Sequence, residues 1–209
     1  LVSLKDVAID MPAGPSEVEV IADESANPAF IAADFLSQAE HGVDSQAMLV
    51  TASESIVEPV MQAIREQLDR LPRKEITEKS LSHSRLIVLK DKQEVIDFTN
   101  LYAPEHLIIQ TTDYADIAGQ VENAGSVFMG PYTPESAGDY ASGTNHTLPT
   151  NGYAKAYSGV NLDSFIKKIT FQEITADGIR LLGGTIWTMA ANEQLDAHKN
   201  AVTIRLNTL

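Results

Sequence analysis

Cysteine is absent from this chain of 209 residues, which excludes disulfides and thiolate metal sites. Any bound metal must therefore use His, Asp, Glu, Gln or Asn. No apolar run approaches the roughly 18 residues that a membrane span requires. The first residue is not Met, and no basic segment followed by an apolar one indicates a signal peptide. We expect a cytoplasmic protein without a membrane partner.

Positive charge is scarce. The chain has 15 Lys and Arg against 29 Asp and Glu, a formal net charge of -14. Such a field repels phosphate backbones, so we expect no nucleic-acid partner, whereas a cationic small molecule would be attracted. The chain is 44% hydrophobic and 21% charged, a composition typical of a globular protein with a sizeable core.

The glycine-rich dinucleotide fingerprint G-x-G-x-x-G is also absent. Gly183-Gly184 lies inside a segment with helical character, so it cannot form the tight turn that such a motif needs. The sequence therefore offers no cofactor-binding residues for a dinucleotide.

Strands and helices are predicted to alternate over residues 1–130. Predicted helices begin at the cap Asn27-Pro28, at a capping box from Ser55 to Glu58, at Asp91 and near Asp113. The first helix is expected to run to about His41. The helix from Asp91 is expected to turn Val95, Phe98 and Leu101 inward, and the helix from Asp113 to end near residue 124. This alternation predicts an α/β fold, a Rossmann-like parallel sheet with helices on both faces. The predicted strands span residues 18–22, 47–51, 85–89, 107–110 and 126–129.

The alternation stops after residue 130. Residues 130–160 contain three Pro and five Gly without a clear period, which favours an ordered functional loop. A short strand is predicted at 166–171, and helices at 176–189 and 192–206. We therefore divide the chain into an α/β region at 1–130, an active-site loop region at 131–165 and a helical dimerisation arm at 166–209.

Two neighbouring polar pairs could carry chemistry. Gln38 and His41 are spaced i and i+3 on a predicted helix, so they could share a metal, although most such pairs are surface residues. Glu105 and His106 follow Pro104 at a strand entrance, where an acid and a base could divide proton transfer. The plainer alternative for Glu105 and His106 is a polar pair at a strand edge.

Other candidates stand singly. Asp139 and His146 lie in the long loop, where a site and a solvated surface are equally good interpretations. Ser16 is a turn residue that could offer its hydroxyl to a ligand. His198, on the last predicted helix, is by pattern a solvated residue, and His83 is interpreted as a surface residue without a role. The motifs alone indicate an α/β protein with a candidate His/Asp/Gln metal site.

Longer segments resemble the histidinol dehydrogenase family over essentially the whole chain. GDYASGTNHTLPT, within the fourth segment, is the most specific string. Family members are typically about twice as long, and this chain resembles their second, carboxyl-terminal half. The segments are IDMPAGPSEVEVIAD at 9–23, SQAEHG at 37–42, YAPEHL at 102–107, AGSVFMGPYTPESAGDYASGTNHTLPTNGYAKAYSGV at 124–160 and EQLDAHKNAV at 193–202.

The resemblance implies oxidation of L-histidinol to L-histidine in two NAD-dependent steps, the last step of histidine biosynthesis. It implies Zn²⁺ as a cofactor that holds the imidazole and amine of the substrate without redox chemistry. Gln38, His41 and Asp139 match the zinc ligands of one subunit. His198 matches a fourth ligand, supplied by the partner subunit of a homodimer.

The resemblance also implies the roles of the remaining residues. His106 matches the general base, and Glu105 matches its partner, which activates water in the second oxidation. Ser16, His146 and Glu193 match positions that contact the substrate, with Glu193 from the neighbouring subunit. The zinc ligands and His106 belong to the same substrate-binding set.

The chain is about half as long as typical family members, which affects the activity expected of it. The NAD contacts of the family lie mainly in its first half, so we expect this chain to fold and bind zinc but to oxidise histidinol weakly or not at all. Two alternatives compete with a dehydrogenase: a non-catalytic zinc-stabilised dimer module, and a zinc hydrolase in which Glu105 activates water. The family-specific loop string argues against the hydrolase, and the intact pairing of Glu105-His106 with all four ligand positions argues against the module.

Overall fold

The computed structural model describes residues 11–209. Residues 1–10 of the predicted α/β region, and with them the first two residues of the segment 9–23, lie outside the described part. The chain divides into two compact units, Leu1–Ile166 and Lys167–Leu209.

The first unit is built on a five-stranded sheet of order β3-β2-β1-β4-β5, in which every neighbouring pair is parallel. This order confirms the predicted Rossmann-like sheet, since the two halves diverge from adjacent central strands β1 and β4. The strands are β1 (Glu17–Ala22), β2 (Gln46–Thr51), β3 (Arg85–Val88), β4 (His106–Gln110) and β5 (Ser126–Met129).

Helices cover both faces because the central strands are apolar on both sides. Val18 and Val20 of β1 pack with Ile31 and Phe35 in one buried cluster. Ile21 packs in a second cluster, which contains apolar residues of other helices. Such two-sided burial is typical of a parallel sheet. The helices of the first unit are α1 (Pro28–Ala39), α2 (Val57–Leu68), α3 (Lys74–Leu81), α4 (Lys92–Tyr102), α5 (Tyr114–Ala118) and α6 (Glu135–Tyr140).

Local capping chemistry explains some predicted helix starts and corrects another. The Asn27 side chain accepts from the Ala29 N–H, and the Asp91 side chain accepts from the Glu94 N–H, as predicted. The capping box at Ser55 was wrong, since a short 3-10 helix, Glu54–Ile56, leads directly into α2 without a side-chain cap.

Several predicted boundaries were also wrong. Helix α1 ends at Ala39, so His41 lies just beyond it. Leu101 was expected to face inward on α4 but is 72% exposed, because the buried face of that helix carries Val95, Ile96 and Thr99 instead. Helix α5 ends at Ala118, well before the predicted stop near residue 124.

The region after β5 contains more helix than expected. Helix α6 and a short 3-10 helix, Tyr153–Lys155, interrupt the predicted loop, so Asp139 lies on a helix. Within the described residues there is no strand at 166–171. The second unit contains α7 (Ala176–Asn192) and α8 (Asp196–Leu206). Their junction falls at 193–195 rather than at 190–191, so Glu193 caps α7 and does not begin α8. None of the helices among residues 11–209 is both long and apolar enough to cross a membrane.

Candidate active site

Glu105 and His106, the polar pair predicted at a strand entrance, lie at the amino edge of the sheet. Val18 of β1 pairs with His106 of β4, so the residues that precede these positions, Glu17 and Glu105, lie side by side. All three polar residues are buried, Glu17 at 5%, Glu105 at 4% and His106 at 3% exposure. The sheet itself therefore places two carboxylates and an imidazole together.

Two hydrogen bonds fix Glu105 against β1. The Glu105 Oε2 accepts from the Glu17 backbone N–H at 2.8 Å, and the Glu17 Oε1 accepts from the Glu105 N–H at 3.3 Å. Glu17 also accepts from the Asn151 N–H at 3.0 Å and from the Tyr102 hydroxyl at 3.0 Å. These contacts tie β1, β4 and the loop after α6 to one carboxylate.

His106 has one ring nitrogen held and the other open. Its Nδ1 lies 3.1 Å from the backbone oxygen of Glu17 and 3.5 Å from Glu105 Oε2. Because a carbonyl can only accept, this contact assigns the ring proton to Nδ1. Nε2 is buried and has no hydrogen-bond partner among the described residues. In the neutral ring this buried nitrogen carries a lone pair, which is suited to accept a proton from a substrate.

A second cluster forms where α1 ends. Gln38 is fully buried in the last turn of α1. In the orientation that satisfies both ends of its amide, the nitrogen donates to Glu135 Oε1 and Oε2 at 2.7 Å each, and the oxygen accepts from the Glu17 N–H at 3.1 Å. The Gln38 amide thus links the Glu17–Glu105 pair to helix α6.

His41 and Asp139 join Glu135 in a set of possible metal donors. One ligand atom from each of these three residues lies within 4.8 Å of the other two. Glu135 and Asp139 are one turn apart on α6, and His41 Nε2 is 3.9 Å from Glu135 Oε1. The structure therefore brings His41 and Asp139 together around Glu135, which the amide of Gln38 also contacts.

A glycine allows α6 to approach the sheet closely. A Cβ at Gly138 would lie 2.6 Å from the Phe128 ring, so only glycine fits there without movement. The Phe128 ring in turn lies 6.0 Å from the His106 ring, centroid to centroid. The segment carrying Glu135 and Asp139 is thereby seated beside the candidate base.

Crowded carboxylates dominate the electrostatics. Burial raises the pKa of Glu135 to about 7, opposed by the charge of His106. Burial acts to lower the pKa of His106, but the hydrogen bond with Glu105 and the charges of Glu135 and Glu105 outweigh it and raise that pKa to about 9. A cation bound among these carboxylates would oppose their charge and lower the pKa of His106 toward the range in which imidazole acts as a base.

The other predicted site residues are more exposed. Ser16 and His41 line one open surface depression. His146 is exposed on the segment after α6 and joins none of the hydrogen bonds or ion pairs within the described part of the chain. Glu193 and His198 are exposed in the second unit, His198 on the first turn of α8. His83 bonds through Nε2 with the backbone oxygen of Ser45 at 3.0 Å, a structural contact.

Two residues of the cluster were missed by the sequence analysis, Glu17 and Glu135. Glu17 belongs to a strand that alternates acidic and β-branched residues, EVEV, although both faces of the strand are buried. An acidic residue predicted on a two-sided buried strand is itself a signal of a functional or paired carboxylate. Glu135 precedes Asp139 by one helical turn, a spacing that becomes visible only once α6 is recognised as a helix.

The residues present fit zinc. The donor set is nitrogen and oxygen only, and the amide oxygen, imidazole and carboxylates are all ligands that zinc accepts. The turn that would hold NAD in a Rossmann fold does not fit that cofactor here. The turn after β1 reads Ala22-Asp23-Glu24-Ser25, which has no glycine and presents carboxylates where a pyrophosphate would sit. A cavity does lie at this carboxyl edge, lined in part by Asp23 and Asp113, but it contains none of the predicted site residues.

The fold and the cluster thus define an α/β protein with a candidate metal and acid–base centre at the amino edge of its sheet. The family model for histidinol dehydrogenase matches residues 1–206. Histidinol dehydrogenase of Bacteroides thetaiotaomicron is 70% identical over 100% of this chain and 49% of its own length. The chloroplastic enzyme of Arabidopsis thaliana is 59% identical over 97% of the chain and 44% of its own.

A solved structure agrees with the sequence relatives. Histidinol dehydrogenase from Elizabethkingia anophelis superposes with a TM-score of 0.94 at 58% identity, covering 97% of this chain and 47% of the other. The chain belongs to the histidinol dehydrogenase family. It spans about half the length of the curated relatives that it matches, 49% in the Bacteroides thetaiotaomicron protein. That it corresponds to the carboxyl-terminal half stays a prediction.

Proposed function

We propose that this chain carries the zinc and substrate site of an enzyme that oxidises L-histidinol to L-histidine in two NAD-linked steps. One observation carries the proposal. The candidate ligands His41 and Asp139 converge, with the buried acid Glu135 against them, beside a buried histidine, His106, whose Nε2 is unpartnered among the described residues. Metal donors next to an available base suit the oxidation of an alcohol that is held by a metal.

The first oxidation removes a hydride from the alcohol carbon and a proton from its hydroxyl. NAD supplies the hydride acceptor when bound. In this proposal His106 Nε2 takes the hydroxyl proton, while its Nδ1–H remains bonded to the Glu17 backbone oxygen. Holding Nδ1 in this way keeps the ring in the tautomer in which Nε2 is the basic nitrogen.

The second oxidation requires a water molecule to add to the aldehyde-level intermediate. Glu105 is the proposed group that activates this water, with His106 beside it to relay the proton. Glu105 is held by the Glu17 N–H at only one of its oxygens, Oε2, in the hydrogen bonds of the described residues. Its other oxygen is therefore available to orient water.

Zinc would bind Gln38, His41 and Asp139 of one subunit and His198 of the partner, and would hold the imidazole and amine of the substrate. We place Ser16, His146 and Glu193 at the substrate, Glu193 from the same neighbour as His198. A carboxylate suits the substrate's ammonium or amine group.

A homodimer is part of the proposal. The second unit exposes large apolar side chains, among them Phe171 at 91% and Leu181 at 84%, as surfaces buried by a partner commonly do. His198 and Glu193 are exposed on the same unit, so each is free to reach a neighbouring molecule. We also propose the cytoplasm as the location.

A mixing experiment tests the shared zinc site. His41→Ala and His198→Ala proteins should each bind little zinc alone, because each loses one donor from every site. Mixed dimers regain one intact site, which pairs a native His41 with a native His198. Zinc content is measured after unfolding, exchange and refolding of the two variants together, with each variant treated alone as the control.

The result would count against a shared site if zinc content did not rise on mixing. Unchanged zinc stoichiometry and affinity in His198→Ala alone would exclude His198 as a ligand. His83→Ala serves as the matched histidine control, because His83 lies in a structural contact with Ser45.

A further inference from the structure

Glu135 is the most buried acid of the metal cluster, and none of the roles proposed above accounts for it. It is 2% exposed and begins α6. With the Gln38 amide assigned in the orientation that satisfies both of its ends, both carboxylate oxygens of Glu135 lie 2.7 Å from the amide nitrogen. Burying a carboxylate is costly unless its charge is used, so its presence against Gln38 calls for a function.

Gln38 differs from the other candidate ligands because only one end of its side chain can bind a metal. Its side-chain amide has one end that binds metal, the oxygen, and one end that only donates, the nitrogen. The two ends are nearly equal in size, so packing alone does not decide which faces an ion. A neighbouring acceptor at the nitrogen and a neighbouring donor at the oxygen would decide it.

The structure supplies both the acceptor at the amide nitrogen and the donor at the amide oxygen. Glu135 accepts from the nitrogen, and the backbone N–H of Glu17, which is shared with Glu105 Oε2, donates to the oxygen at 3.1 Å. A carbonyl oxygen has two lone pairs, so the bond from Glu17 uses one and leaves the other for a cation. Outer partners of this kind orient metal ligands, and their loss typically lowers metal affinity by about 10–100-fold.

We infer that Glu135 is a positioning residue that holds the amide of Gln38 with its oxygen available to the metal. The inference rests on the proposed zinc site and deepens it. It distinguishes Glu135 from Asp139, its neighbour one turn along α6, which stands among the direct ligands. A direct bond from Glu135 to the ion is the competing role, since Glu135 Oε1 lies 3.9 Å from His41 Nε2.

A double-mutant cycle on the 209-residue chain separates the two roles. Zinc affinity is measured by competition with a chromophoric chelator for the unmodified chain, Glu135→Ala, Gln38→Ala and the double variant. If Glu135 acts through Gln38, Glu135→Ala lowers affinity about 10–100-fold. The double variant is then no weaker than Gln38→Ala, because the residue that Glu135 positions is already gone.

A conservative replacement provides the rescue. In Glu135→Gln the new amide oxygen can still accept from the Gln38 nitrogen, so we expect most of the zinc affinity to return. The d–d absorption of the cobalt-substituted protein should keep its band positions in Glu135→Ala and Glu135→Gln, because the set of directly bound atoms is unchanged. Glu122→Ala, which removes an exposed acid elsewhere, controls for the loss of one negative charge.

Each contrary outcome has a distinct meaning. Multiplying losses in the double variant, with shifted cobalt bands in Glu135→Gln, would make Glu135 a direct ligand and overturn the positioning role. Undiminished zinc affinity in a folded Glu135→Ala, checked by circular dichroism, would also overturn it while leaving the zinc site intact. Failure of the unmodified chain to bind zinc would instead contradict the proposed function, and the inference with it.

Discussion

Replacement of His106 by glutamine is expected to lower kcat for histidinol oxidation by about 10²–10⁴-fold, the usual contribution of a general base. Glutamine keeps the approximate size and polarity of the side chain but cannot take up a proton. Because the ring of His106 is 3% exposed and held by the Glu17 backbone, no neighbouring group or bulk water readily substitutes for Nε2.

The rate is best measured in a chimera in which this chain replaces the matched half of the Bacteroides thetaiotaomicron enzyme, to which it is 70% identical. The chimera supplies the half-length that the chain does not span. NADH formation is followed across pH. A base must be deprotonated to act, so the native chimera should lose activity as pH falls, and the variant should lack that limb of the profile.

Zinc content is the internal control for His106→Gln. The variant should bind zinc like the native protein, because His106 lies beside the donor set and is not one of the proposed ligands. A variant with full zinc content and a native rate would remove His106 from the mechanism. A variant that loses zinc as well as rate would show that the imidazole supports the metal site rather than proton transfer.

The second large effect concerns stability and arises from Glu19, the other acid of β1. Glu19 is fully buried, accepts a hydrogen bond from the Thr99 hydroxyl, and has its Oε2 unpartnered among the described residues. Burial raises its pKa to about 8, against the opposing hydrogen bond from Thr99. The folded chain therefore keeps a proton on Glu19 that the unfolded chain releases above its ordinary pKa of 4.5.

The sign of the pH dependence follows from this proton. Between the unfolded pKa and the folded pKa, the unfolded state binds fewer protons, so the free energy of unfolding falls as pH rises. Glutamine at position 19 is neutral in the folded and the unfolded state, so Glu19→Gln does not lose stability in this way as pH rises. From about pH 5 to about pH 9, the stability of Glu19→Gln should rise relative to the native chain by about 4 kcal/mol.

Urea unfolding of both proteins at the two pH values measures this difference, and the comparison cancels the contribution of the other buried acids. Glu122→Gln, at an exposed position, is the matched control and should show no relative change. A constant difference between Glu19→Gln and the native chain across this pH range would mean that Glu19 is ionised in the fold, with its charge compensated.

The sheet was predictable from the sequence because its strands are short, β-branched runs bounded by turn residues. The predicted strand at 126–129 coincides with β5. The predicted strand at 166–171 does not form among the described residues, because β-branched residues alone do not make a strand without a partner to pair with. The prediction that Leu101 faces inward was wrong because the sheet that α4 covers determines which face of the helix is buried.

One part of the site could be predicted from the sequence and another part could not. Glu105 and His106 adjoin in sequence, so their chemistry is visible as a pair. Glu135 and Gln38 are far apart in the chain, and their contact depends on α6 lying close to the sheet, which Gly138 permits. The ligand roles of Gln38, His41 and Asp139 came from the resemblance, and the structure adds that His41 and Asp139 converge on Glu135, which Gln38 contacts.

Calorimetric titration of the 209-residue chain with L-histidinol, with zinc bound and after its removal by a chelator, tests the central proposal most directly. An analogue that keeps the imidazole and the alcohol but lacks the amine is the matched control ligand. We predict binding of histidinol to the zinc-loaded chain, loss of binding on chelation, recovery when zinc is returned, and weaker binding of the analogue. Equal affinity for histidinol with and without zinc, or no binding to the zinc-loaded chain, would contradict the assignment of this cluster as a zinc and substrate site.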